Sequence, residues 1–269
     1  MKIFYTKNKL TKITYNQKSI GFIPTMGAIH KGHVSLIKKS INQCNKTIVS
    51  IYVNKPQFNK KSDYKKYPRL ITKDINILKK LKVDYLFIPK KNQIYPNGIN
   101  RNIKIHSFKK KLCGKFRQNH FEAIADVIDR FIKIINPKKI YMGEKDMQQL
   151  KIIEDFVKRN HPKIKVVNCK TIRENNGLAY SSRNILLTSN EKKIAISVYK
   201  FLSSKKKIII NKSLPLIAAK KIIFSFNIKK IDYLKIYDIN NLIDKNKGNK
   251  NYRIFIAYYL GNTRLIDNI

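Results

Sequence analysis

The stretch PTMGAIHKGH, residues 24–33, joins an apolar run at 19–24 to a helical pattern that extends from about 32 to 44. An extended segment that breaks at a glycine and passes at once into a helix is the opening of a βαβ unit. Gly27 can turn the chain with positive φ or let a phosphate approach the backbone, and Gly32 keeps the helix start unencumbered. Free backbone N–H groups and the positive end of the helix dipole attract anions at such a junction. His30 and His33, three residues apart at the helix start, project from one face and can both donate to phosphate oxygens. Taken alone, HxGH reads as well as a helix cap with incidental histidines, and a two-histidine metal site has no third ligand nearby. Because it follows a strand in the first βαβ unit, it reads as a cradle for a nucleoside triphosphate.

Working outward, apolar strands are expected at 47–53, 83–89 (VDYLFIP), 139–142 and 164–169. Helical patterns fall between them at 69–81, 121–135 and 145–159. Strands alternating with helices predict right-handed crossovers and a parallel sheet, an α/β fold. The tail differs: two helical patterns near 190–226 precede strands at 231–238 and 252–260, a smaller α+β unit. The turn-forming Asn175-Asn176-Gly177 puts the boundary between a domain of residues 1–175 and one of 176–269. Three polar motifs sit where strands stop: PTMGAIHKGH, then Asn54-Lys55-Pro56-Gln57-Phe58, then Gly143-Glu144-Lys145-Asp146. In an open parallel sheet the ligand crevice lies outside the carboxyl ends of the strands, so all three are expected to face one pocket.

Composition bounds the alternatives. With 43% apolar residues in 269, the chain is expected to fold as one large core or two ordinary domains. Cys44, Cys113 and Cys169 are odd in number and widely spaced, which suits a reducing, cytoplasmic setting better than a disulfide framework or a structural zinc. Neither a signal peptide nor a membrane-spanning run is expected. The formal charge of +42 would ordinarily suggest a polyanionic partner. Yet the lysines recur along the whole chain in pairs and triplets, and Lys, Ile, Asn and Tyr are all heavily used. That pattern reads as AT-rich codon drift, with no specific nucleic-acid partner.

The motifs together resemble the pantothenate synthetase (pantoate:beta-alanine ligase) family. PTMGAIHKGH, SIYVNKPQF (50–58), RQNHF (117–121), YMGEKDMQQL (141–150) and RENNGLAYSSRN (173–184) occur in that family's order and spacing, and LGNTRLIDN (260–268) is similar to its terminus. The resemblance implies a Rossmann-like nucleotidyltransferase domain with a smaller carboxyl-terminal lid, as a homodimer. It implies condensation of (R)-pantoate with beta-alanine through a pantoyl-adenylate, consuming ATP, with Mg2+ on the phosphates. Carried onto this sequence, it assigns ATP contacts to Met26, Gly27, Ala28, Ile29, His30, Lys31, Gly32 and His33, with His33 the active-site acid. Gly143, Glu144, Lys145 and Asp146 would wrap ATP, with Lys145 on phosphate and Asp146 at the ribose. Ile172 would touch the adenine, and Tyr180, Ser181, Ser182 and Arg183 would close over the phosphates. Gln57 would hold pantoate beside beta-alanine, and Gln149 would be the second pantoate ligand. Asp74 is a possible magnesium contact.

The chain departs from the family pattern at Lys55, Cys113, Gln118, Asn119, Ala123 and Asn176, which bears on the loop aiming Gln57 and on dimer contacts. Two rivals stand beside the ligase. A nucleotidylyltransferase acting on a phosphorylated acceptor would be expected to place Arg or Lys where Gln57 and Gln149 stand. A basic nucleic-acid binder would show salt-dependent polyanion binding and little ATP turnover.

Overall fold

The computed structural model describes residues 1–240, 242 and 250–269. A six-stranded, fully parallel sheet is built from β1 (Lys2–Phe4), β2 (Ile20–Thr25), β3 (Lys46–Ile51), β4 (Tyr85–Phe87), β5 (Lys139–Gly143) and β6 (Lys165–Cys169). Its strand order is β1-β4-β3-β2-β5-β6. From β2 the chain first extends the sheet through β3 and β4, then returns to add β5 and β6 on the other side. The order therefore reverses at β2, and the loops after β2, β3 and β5 open toward one crevice.

Period-two alternation divides each strand between two cores. Phe22, Ile48 and Phe87 face one side, while Ile23, Val49 and Leu86 face the other. On the first side lie α1 (Lys7–Thr14), α7 (His120–Ile135) and α8 (Met147–Asn160); on the second lie α2 (Lys31–Gln43) and α4 (Ile71–Lys80). Short helical turns, α3 (Lys61–Lys66), α5 (Lys91–Ile94) and α6 (Cys113–Phe116), fill the connections around the crevice. The amphipathic pattern at 121–135 is α7, which starts one residue earlier and buries Phe121, Ile124, Ile128, Phe131 and Ile135 along one stripe.

The remaining chain forms α9 (Ser189–Ser204), α10 (Lys206–Ile210), α11 (Leu216–Phe224) and an antiparallel sheet, β7 (Lys230–Asp238), β8 (Tyr252–Leu260) and β9 (Thr263–Asn268). Thr188 and Glu191 close a capping box at the start of α9. This unit has its own core, including Val198, Leu202, Ile223 and Ile256. Its sheet also sends Tyr233, Phe255 and Ala257 into the same core as Phe121, Phe131 and Met147 of the parallel-sheet unit.

Several expectations shift. The strand expected at 83–89 pairs only over Tyr85–Phe87. The helix expected from 145 begins with a 3-10 turn, Glu144–Asp146, and becomes α-helical at Met147. β1, α1 and β9 are additional; β1 and β9 attach as edge strands, too short or too mixed in pattern to announce themselves.

Candidate active site

Residues 24–33 form the junction after β2. Thr25 Oγ1 donates to the Ser50 carbonyl at 2.7 Å and accepts the Gly27 N–H at 3.1 Å, starting the turn. Gly27 has φ 82°, and a Cβ there would meet Asp74 Oδ2 at 2.9 Å, so the position excludes any side chain. Asp74, on α4 and 1% exposed, accepts the N–H of Ala28 at 2.8 Å and of Ile29 at 2.7 Å. Burial pushes its carboxyl above the usual range, and the two N–H donors partly offset that. Asp74 is thus a buried clamp on the loop, each of its oxygens accepting one backbone N–H. The N–H groups of Gly27, Ala28 and Ile29 are likewise taken, and a phosphate would meet the residues that follow.

His30 is the N-cap of α2: its Nδ1 accepts the Gly32 N–H at 3.1 Å, and a Cβ on Gly32 would sit 2.9 Å from the ring. With Nδ1 accepting, the neutral ring carries its proton on Nε2. The His33 ring lies 4.0 Å from it, centroid to centroid. Burial, then Lys145, lowers His30 to about 4; burial, then His30, holds His33 well below its usual value. Burial thus favours the neutral form of both imidazoles, and in that form His33 can donate an N–H.

After β3, Asn54 is almost wholly enclosed. Its Nδ2 donates to Gln57 Oε1 at 3.2 Å and to the Ala123 carbonyl at 3.1 Å, while its Oδ1 accepts from the Tyr95 hydroxyl at 2.8 Å. Gln57 Nε2 contacts Met26 Sδ at 3.2 Å, joining the first two motifs. Lys55 leaves this arrangement undisturbed because its ammonium points out, 6.0 Å over the Tyr64 ring. After β5, Lys145 lies 3.5 Å from Asp146, whereas Glu144 pairs with Arg253 of β8 at 2.8 Å. Of the two adjacent glutamines on α8, Gln148 is buried and structural: it accepts the Cys113 N–H and donates to the carbonyls of Phe108 and Lys111. Gln149 is partly exposed and lines the cavity.

The loop at 180–183 lies over the junction. Tyr180 stacks on His30 at 6.4 Å, its N–H donates to the Ile172 carbonyl, and Lys31 reaches over its ring at 5.6 Å. Ser181 caps the following turn through the Arg183 N–H, Ser182 Oγ donates to the Ala28 carbonyl at 3.2 Å, and Arg183 pairs with Asp63 of α3 at 3.1 Å.

All these elements surround one cavity of about 1050 Å3. Met26, His30, Gly32, His33, Gln57, Gly143, Lys145, Asp146, Gln149, Ile172 and residues 180–183 line it; Gly27, Ala28, Ile29, Lys31 and Glu144 do not. Asp63, Tyr67, Arg117, His120, Thr171 and Arg264 also line it, beyond the residues expected. RQNHF pointed to Arg117 and His120 and LGNTRLIDN contained Arg264; Asp63, Tyr67 and Thr171 sit on short turns or connections with no signal of their own. At the altered positions, Asn119 precedes α7 in the left-handed region with φ 57° and no side-chain capping bond, Asn176 Oδ1 accepts the Leu178 N–H, and Cys113 Sγ lies 3.0 Å from the Tyr233 hydroxyl and 3.6 Å from an Arg264 nitrogen. Among the described residues, no three His, Cys, Asp or Glu side chains converge as a metal site, and no helix is long and apolar enough to cross a membrane.

The sequence pattern of the Pantoate-beta-alanine ligase family matches residues 2–269. The chain is 42% identical over 255 residues to the pantothenate synthetase of Clostridium botulinum (strain ATCC 19397 / Type A), covering 93% of this chain and 90% of that one. It is 40% identical to the pantothenate synthetase of Endomicrobium trichonymphae, covering 100% and 97%. Among solved structures, the pantothenate synthetase of Thermus thermophilus superposes with a TM-score of 0.91 at 30% identity, covering 100% and 99%. The pantoate-beta-alanine ligase of Francisella tularensis, complexed with beta-gamma ATP and beta-alanine, superposes at 0.84 with 36% identity, covering 100% and 97%.

Proposed function

The chain belongs to the pantoate-beta-alanine ligase family, and from that premise we propose which of its residues carry out each step. The enzyme joins (R)-pantoate to beta-alanine at the expense of ATP, through a pantoyl-adenylate, to give pantothenate, AMP and diphosphate. A pantoate carboxylate oxygen bonds to the α-phosphorus and the bond to the diphosphate oxygen breaks. The beta-alanine amine then bonds to the acyl carbon, AMP leaves with the bonding pair, and the ammonium proton passes to solvent. Neither step needs a covalent enzyme intermediate, so the work is alignment and charge stabilisation.

Lys145 and Arg183 take the charge that builds on the phosphates. His30 Nε2 and His33 contribute neutral N–H donors beside them. Met26, Gly32 and Gly143 let the nucleotide approach the strand ends, Asp146 faces the ribose, Ile172 offers its backbone to the adenine, and residues 180–182 close over it. Gln57 and Gln149 hold pantoate with amides, which orient a carboxylate without neutralising it; Gln57 also lies beside beta-alanine. Gly27, Ala28, Ile29, Lys31 and Glu144 act indirectly, by shaping the loops.

The donor set suits a magnesium ion that arrives with ATP. Asp63 is a carboxylate lining the cavity beside Arg183, and Mg2+ keeps most of its shell as water and phosphate oxygen. When bound it would neutralise phosphate charge. The three unpaired cysteines suit a cytoplasmic enzyme, residues 176–269 would act as the lid, and the family resemblance supports a homodimer, which sedimentation would check.

The observation that carries these assignments is that His33, Gln57 and Lys145, from the ends of three neighbouring strands, line one cavity. The test is an omission series with ATP, magnesium, pantoate and beta-alanine. AMP and the amide should form only with all four, and AMP formation independent of pantoate would overturn the assignments.

A further inference from the structure

Arg117 is a cation that the reaction as assigned above does not use. Its Nη2 donates to the Gln57 carbonyl at 3.1 Å, and its Nη1 lies 2.9 Å from His120 Nε2. His120 Nδ1 is 2.8 Å from that same carbonyl. A carbonyl only accepts, so Nδ1 carries the imidazole proton and Nε2 accepts from Arg117. Burial first, then Arg117, holds His120 well below its usual pKa, consistent with that neutral tautomer. The guanidinium is thus fixed by two neutral acceptors and keeps three further N–H groups beside Gln57.

Its electrical surroundings are unusual. Arg183 is paired with Asp63, and Arg264 with Asp232 at 2.8 Å. Among the described residues Arg117 has no carboxylate partner, although it lines the cavity. Burial, then Arg183, pushes its pKa down to about 10, with Cys113 and Asp63 offsetting only part of the fall, so it stays charged at pH 7. A partly buried guanidinium without a counter-ion is stabilised most by a carboxylate ligand, which it can grip with two parallel N–H bonds.

We propose that Arg117, held by His120 and the Gln57 carbonyl, binds the carboxylate of the incoming amino acid and so selects an ω-amino carboxylate as acceptor. The proposal rests on the ligase assignment above. The spectator carboxylate fits this role better than the pantoate carboxylate, because the latter is the nucleophile and a tight guanidinium pair would draw charge from it.

The test compares beta-alanine with 3-aminopropanamide, which has the same length and amine but no carboxylate, in the wild type, Arg117→Gln and Arg117→Lys. Pantoate-dependent diphosphate release without amine is measured alongside; its absence in the wild type would count against the ligase assignment and not against this proposal. The wild type should prefer beta-alanine by about 100-fold in kcat/KM. Arg117→Gln should bring that ratio to within about threefold of one, and Arg117→Lys, which keeps the charge but not the fork, should lie between. A purely structural role would lower both amines equally and leave the ratio intact, which would overturn the proposal. So would a wild type indifferent to the carboxylate, or an Arg117→Gln loss confined to pantoate KM. If Arg117→Gln forms no adenylate, the ratio in Arg117→Lys decides: a drop of about tenfold supports the proposal and an unchanged ratio overturns it.

Discussion

In the proposed site His30 and His33 would offer a phosphate an N–H and not a positive charge, since burial favours the neutral form of both rings. The cationic share of the proposed catalysis then falls to Lys145 and Arg183. Lys145→Ala should lower pantoate-dependent adenylate formation by about 100-fold or more, and His33→Ala by a similar factor, with the fold intact by circular dichroism. Near-normal diphosphate release from both variants would refute the assignment. The same neutrality has a consequence for stability. His30 titrates near 4 in the folded chain against about 6.5 unfolded, so between those values the unfolded chain binds a proton that the folded one refuses. Stability should therefore fall as pH drops from about 6.5 toward 4. His30→Asn keeps an N-cap acceptor but cannot titrate, so its melting temperature should fall less between about pH 7 and 5 than the wild type's. Equal falls would show that His30 does not resist protonation.

At the scale of elements, the strand–turn–helix at 19–44 is legible in the sequence because its signals are local: an apolar run, two glycines and a helical period. What holds the turn is not legible. Asp74 lies 46 residues from Ala28 and 45 from Ile29, and nothing about an aspartate in an amphipathic helix says that it faces inward onto two backbone N–H groups. For the same reason its role in holding the loop emerges only from the fold. Asp74→Ala should cost on the order of 3 kcal/mol, by leaving those two N–H groups buried and unpaired, and should raise the KM for ATP by disordering the junction. Denaturant unfolding and ATP kinetics together check this; an unchanged midpoint would contradict the clamp. Arg117 shows the same limit. Its motif is visible, but the meaning of an arginine without a counter-ion emerges only when the carboxylates around it prove to be paired elsewhere.

At the scale of the whole molecule, the +42 charge lies on an enzyme whose site needs only a few cations. Duplex DNA binding should be weak, independent of sequence and largely lost at physiological salt, and tight sequence-specific binding at that salt would mark the charge as functional. A different long-range feature bears directly on catalysis. The antiparallel sheet does more than cover the crevice, because Asn268 of β9 donates from Nδ2 to the carbonyls of both Glu144 and Lys145, each at 2.9 Å. Its Oδ1 accepts from Arg253, which also pairs with Glu144, so the carboxyl-terminal unit holds the backbone that presents Lys145. Asn268→Ala would strand two carbonyls at a nearly buried position, costing about 1–3 kcal/mol of stability. If this contact also aims the lysine, kcat/KM for ATP should fall by about tenfold, while the affinity for pantoate, assigned above to Gln57 and Gln149, should change little. Asn268→Asp should behave like the Ala variant, because a carboxylate cannot donate to either carbonyl. A lower melting temperature with unchanged ATP kinetics would mean that Asn268 only joins the two sheets and that Lys145 is positioned from within β5 and α8 alone.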